Sequence, residues 1–174
     1  MAAPDRGGPA VKVVHAPDPV LSRVSKKVDP LDPGVTELAE AMVAIMRAAP
    51  GCVGLAAPQV GVSAQLFVAD VTGHPKAVTV HGLIVLANAE LAEASRWKSG
   101  REGCLSVPDL TGDVKRASRV VVIGDVPGTG ERLTITTDAF EARALQHEID
   151  HCNGLLFLDR VSSAHGVYQR QVYL

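Results

Sequence analysis

The stretch that most restricts the fold of this 174-residue chain is Gln146-His147-Glu148-Ile149-Asp150-His151. On a helix, residues four apart differ by about 40° around the axis and ~6 Å along it. His147 and His151 can then offer both imidazoles to one metal ion, and Glu148, roughly 100° round from His147, can act on a water beside that ion. Asp138 with Glu141 reads as an N-cap and its capping-box partner, and Gly154 as the C′ residue. On the helical wheel Phe140 and Ala144 share the face of the two histidines, while Leu145, Ile149 and Cys152 form a second apolar stripe. Only Arg143, Gln146, Asp150 and Asn153 gather on a narrow polar edge. A helix of that kind is one that other elements surround. The expected fold is therefore built around it, with the metal shielded from bulk water.

Two protein ligands do not make a stable site, since a catalytic zinc-type centre takes three and keeps a further position open. A third donor has to come from elsewhere in the chain. Its length fits one domain with a substantial core, and with aromatics at only 3% that core is built from Val, Leu, Ile and Ala. A net charge of −2 without a long basic run argues against a nucleic-acid groove or an anionic membrane surface. No apolar run reaches the length of a membrane span. Residues 1–10, rich in Pro and Gly, read as a flexible tail rather than a secretory signal, leaving 11–174 as one catalytic domain with a C-terminal tail from about 162. Three scattered cysteines (52, 104 and 152) point to a reducing compartment and a metal thiolate rather than a disulfide framework.

Along the chain, Val11 to Val14 reads as a short extended segment before the Pro17-Asp18-Pro19 turn. Asp32-Pro33 opens an N-terminal helix that runs to about Ala48, with Val35, Leu38, Met42, Ile45 and Met46 on one face and Pro50-Gly51 as its stop. Cys52 to Gly61 reads as a small-residue loop, Leu66 to Asp70 as a strand, and Leu83 to Leu91 as a strand buried on both faces. The intervening loop carries His74 and His81, neither at a useful ligand spacing. Val120 to Ile123 and Leu133 to Thr136 form a hairpin through Pro127-Gly128-Thr129-Gly130, and Leu155 to Leu158 reads as a last strand. The sum is an α+β fold: antiparallel or mixed β-sheets packed around a central metal-binding helix, plus one N-terminal helix.

Two further stretches carry chemistry. In Glu102-Gly103-Cys104-Leu105-Ser106 the thiolate of Cys104 can serve as the third ligand. In Gly54-Leu55-Ala56-Ala57-Pro58-Gln59 the backbone can approach a ligand closely, and the Gln59 amide can donate to an oxyanion. Together with the helix motif, these stretches resemble the three signature motifs of peptide deformylases, in the same order and with compatible separations. The resemblance extends from roughly Val11 to Arg160 and takes in Pro17-Asp18-Pro19-Val20-Leu21 and the Val107-Pro108 continuation. Cys52, where the first motif usually has Gly, and Cys152, where Leu is common, depart from the pattern.

That resemblance implies removal of the formyl group from the N-terminal formylmethionine of nascent polypeptides. It implies a divalent ion held by Cys104, His147 and His151, with ferrous iron as a frequent native ion and zinc, nickel or cobalt accepted by the same ligands. Glu148 is then general base toward the water that attacks the formyl carbon and later general acid toward the leaving amine. The resemblance assigns the developing charge to the Gln59 amide and the Leu105 N–H. Gly54, where a Cβ would crowd the substrate, is the candidate for orienting the peptide, and Val53, with Phe140 and Ala144 from the histidine face of the wheel, for lining the methionine pocket. Glu102 is a candidate acceptor behind a ligand histidine, and Asp150 either pairs with Arg116 or faces solvent. The expected partners are the formylmethionyl peptide and, transiently, the ribosome, in a bacterial-type cytoplasm or an organelle, without membrane insertion or sequence-specific nucleic-acid binding. A metzincin-type peptidase would need histidine where Phe157 stands, and a closed structural zinc site would need Cys152, which points to the other apolar stripe.

Overall fold

A computed structural model describes residues 11–171; the tail expected at residues 1–10 lies outside them. The N-terminal helix α1 spans Pro33–Ala48, and the Asp32 carboxylate caps it by accepting from Gly34 N–H at 2.8 Å. Val35, Ala39, Met42 and Met46 form its buried face, with Leu38 and Ile45, expected on it, half-buried at its edges. The segment read as a loop after Cys52 is a strand, β1 (Gly54–Ala56), followed by a 3-10 turn (Ala57–Val60). β2 (Leu66–Ala69) is buried on both faces: Leu66 and Val68 pack toward α1, Phe67 and Ala69 toward the second helix.

β3 (Ile84–Cys104) and β4 (Val107–Asp125) make a long antiparallel hairpin, far longer than the apolar run ending at Leu91. Residues 90–99 are exposed, so no buried face alternates there to announce a strand. Backbone pairing with β4 holds them, interrupted by register shifts between Ala87 and Glu90 and between Leu91 and Glu93. β5 (Arg132–Asp138) pairs with β4 through the expected turn, and all the strand pairs are antiparallel in the order β1-β2-β3-β4-β5. In the segment read as a C-terminal tail, β6 (Val167–Gln169) pairs with β4.

Helix α2 (Ala139–Cys152) lies against one face of this sheet, with Leu145, Ile149 and Cys152 in a core shared with Phe67, Leu86 and Val122. Its exit is the expected one, with Asn153 as cap and Gly154 at φ +77°. Its entry is not. Asp138 makes no side-chain cap and instead accepts from Thr79 N–H, while Glu141 accepts from Thr137 Oγ1 and from His81. Leu155 to Leu158 is likewise no strand; Phe157–Arg160 forms a 3-10 turn whose Phe157 packs with Cys104, Val107 and Val114 under the hairpin.

A candidate metal centre and its cavity

The hairpin and α2 bring the three candidate ligands together. Cys104 closes β3 beside a tight turn, which turns its Sγ toward the helix at 3.3 Å from His151 Nε2. The Nε2 atoms of His151 and His147 are 3.1 Å apart, and all three ligand atoms lie within 4.8 Å of one another. Glu102 Oε2 lies 2.9 Å from His147 Nδ1, which assigns a proton to that nitrogen and turns Nε2 inward. Burial disfavours charge on His147, yet Cys104 and Glu102 outweigh it and hold its pKa well above the usual range. Burial and the neighbouring His147 charge hold His151 well below that range, so its ring is neutral. Sulfur and two ring nitrogens thus converge on one point. That donor set fits one divalent ion of borderline softness.

Glu148 is buried, its Oε2 has no hydrogen-bond partner, and burial pushes its carboxyl up to about 7. Opposite it stands Gly54, where a Cβ would come within 2.8 Å of the Glu148 Cδ. The group that a side chain there would crowd is therefore the carboxyl itself, before any substrate. Ala56 N–H donates to Gln59 Oε1 at 3.0 Å, which fixes the amide with Nε2 facing Cys104 Sγ and Ser106 Oγ, each at 3.3 Å.

A cavity of about 220 Å³ opens beside these groups. Its wall contains every residue the sequence assigned to the peptide (Val53, Gly54, Phe140, Ala144) and the two assigned to the oxyanion, Gln59 and Leu105. Phe140 is held flat against His74, ring centroids 3.7 Å apart. Cys52 also lines the cavity; its Sγ donates to Gly54 O at 3.1 Å, and burial pushes its thiol up to about 11. Cys152 sits in the core, pushed up to about 12 by burial, away from the ligands.

The polar edge of α2 is not a solvated face. Arg116, almost fully buried, bridges Glu102 and Asp150, and Arg143 and Arg160 join from either side. Although burial works against charge on Glu102, His147 and Arg116 hold it well below the usual carboxylate range. Gln146 accepts from Ala117 N–H and donates to Ala117 O, stitching α2 to β4. Sequence reasoning missed Arg101 and Arg170, both in the cavity wall. The only local sign was glycine: Gly103 leaves room for the Arg170 guanidinium, whose Cζ would lie 3.3 Å from a Cβ there.

Known proteins resemble this chain in sequence and in fold. Residues 10–166 match the family described as Polypeptide deformylase. The chain is 46% identical over 153 residues to a peptide deformylase of Halothermothrix orenii, covering 88% of this chain and 94% of that one. With the peptide deformylase of Carboxydothermus hydrogenoformans it shares 43% over 152 residues, 87% and 93% of the two chains. Among solved structures, a class I type b peptide deformylase from Acinetobacter baumannii bound to Met-Ala-Ser superimposes with a TM-score of 0.79 at 34% identity, covering 88% of this chain and 100% of that one. The Thermotoga maritima peptide deformylase gives 0.78, also at 34%, over 88% and 98%.

Proposed function

This chain belongs to the polypeptide deformylase family, and from that premise we propose how its own residues divide the work. The protein is a metal-dependent hydrolase that removes the formyl group from the N-terminal formylmethionine of nascent polypeptides. The observation that carries the division of labour is the convergence of Cys104, His147 and His151 beside a carboxyl oxygen with no partner of its own.

Cys104, His147 and His151 hold one divalent ion, which when bound supplies positive charge that depresses the pKa of an adjacent water. Ferrous iron is the native ion in this reading, with zinc, nickel or cobalt as substitutes in the same ligands. Glu148 takes a proton from the attacking water with its free Oε2 and returns one to the leaving amine. Gln59 Nε2, its orientation fixed by the Ala56 N–H, donates to the formyl oxygen as charge develops there, and the Leu105 N–H does the same from the hairpin turn. Glu102 holds the His147 ring in place. Val53, Phe140 and Ala144 receive the methionine side chain, and Gly54 guides the peptide backbone past Glu148.

Residues 11–174 act as one catalytic domain. No helix of the described residues is long and apolar enough to cross a membrane, and we place the protein in the cytoplasm, where nascent chains are made. Transient docking to the ribosome fits the same reading, because Lys76, Arg96, Lys98 and Arg119 ring an open depression on the β3–β4 side.

The test couples metal analysis to formate release from formyl-Met-Ala-Ser under anaerobic conditions. One equivalent of metal and sustained turnover are expected, with both lost in Cys104→Ser. Casein hydrolysis without formate release would instead support a peptidase.

A further inference from the structure

Arg170 is the least explained charged group near the cavity. It follows β6, where its N–H donates to Asp109 O at 2.9 Å, and its side chain reaches the cavity wall beside Gly103 and Cys104. There its Nη2 makes one long contact, 3.5 Å to Cys104 O, and its Nε is buried without any hydrogen-bond partner. No carboxylate among the described residues pairs with it. Glu102 is engaged by Arg116, Arg143 and His147, Asp113 by Arg101 and Tyr168, and the exposed Asp109 meets Arg170 only through its backbone carbonyl. Arg101, the other arginine in the wall, is bound to Asp113 at 2.7 Å and lies 3.7 Å over the Tyr168 ring. Arg170 has no such occupation.

A buried guanidinium donor without an acceptor is unfavourable unless a ligand supplies one. Gly103 keeps the space for this side chain open, and its loss of a Cβ serves no turn, since its φ is not left-handed. Resting on the deformylase reading, we infer that Arg170 is a peptide-anchoring residue: its guanidinium donates to a main-chain carbonyl or the terminal carboxylate of the residues that follow the methionine. The methionine side chain and the formyl group are served by the other walls of the cavity. What remains for a cation at the Gly103 rim is the outgoing chain, whose oxygens are acceptors and whose position the hairpin edge sets. Guanidinium offers these a two-pronged donor that an ammonium does not.

The experiment compares formylmethionine amide with formyl-Met-Ala-Ser in the metal-loaded wild type, Arg170→Met and Arg170→Lys. Wild type should show a lower KM for the longer peptide. Arg170→Met should raise that KM roughly ten-fold, the loss of one charge-assisted hydrogen bond, with kcat and the short substrate unchanged. Arg170→Lys should recover part of the loss. Equal losses on both substrates, or none on the longer one, would overturn the assignment while leaving the deformylase reading intact. If Arg170→Met does not fold, the lysine variant and the wild-type difference between substrates decide the matter alone. Wild-type protein that releases no formate from either substrate removes the deformylase reading, and this inference with it.

Discussion

The two helices solve the same problem by opposite means. Helix α1 is assembled from its own sequence: Asp32 caps it, Pro33 starts it, and one apolar face meets the sheet. Helix α2 borrows nearly everything. The carboxylates that would cap its N-terminus are spent elsewhere, since Asp138 holds Thr79 and Glu141 holds His81, and its polar edge is paired with β3, β4 and Arg160. A helix whose contacts are remote is fixed on all sides, which is the requirement for presenting two imidazoles and a carboxyl at set distances. The difference shows that catalytic rigidity here comes from long-range ion pairs rather than from helix propensity.

The sharpest way to break this contrast is to separate chemistry from scaffold on α2. Glu148→Ala removes a buried carboxyl whose Oε2 pairs with nothing. Formate release should fall about 10²–10⁴-fold with metal content and unfolding midpoint preserved. A comparable fall in stability would mean that Glu148 is part of the scaffold. Arg116→Met should do the reverse, since it removes the buried cation shared by Glu102 and Asp150 and leaves them to Arg143, His147 and the half-exposed Arg160: urea unfolding should show a loss of about 3 kcal/mol. An unfolding curve that does not shift would show that the ion network does not hold α2.

Gly54→Ala tests how closely the β1 side approaches α2. The new methyl pushes on the Glu148 carboxyl, and kcat should fall by roughly 10², the effect of displacing a catalytic group by about 1 Å, with metal retained. Activity at the wild-type level would show the carboxyl free to move aside. The smallest effects compare the two helix starts directly. Asp32→Ala should cost about 1 kcal/mol as a lost cap. Asp138→Ala should cost only about 0.5 kcal/mol, because its one contact is a 3.3 Å bond to Thr79 N–H. Equal costs would give α2 a local cap after all.

This contrast also explains what could be read from the sequence. The i, i+4 histidines and the apolar stripes of α2 follow from helix geometry, so the approach of the two imidazoles and their setting were legible. Cys104 was legible only as part of a three-motif pattern, because nothing local distinguishes a ligand thiol from a small buried residue. The pairing of Glu102 with His147 bridges 45 residues, and no periodicity carries such a contact. The length of β3 was hidden because its outer half buries neither face. Leu155 to Leu158 misled for the opposite reason: four neighbouring positions with apolar side chains look like a strand, but the last two enter a 3-10 turn that tucks Phe157 under the hairpin. The capping box at Asp138 failed because both carboxyls found partners in the 71–82 loop and on β5, at ranges a local rule does not see.

One carboxylate, Glu102, grips Arg116, Arg143 and the His147 ring at the same time. The aim of that imidazole is therefore set by neighbouring protein, independently of whatever the ring coordinates. Swapping one divalent ion for another then asks for no rebuilding of the pocket. Under the proposed reading, the choice among divalent ions falls to their availability rather than to any rearrangement of the protein.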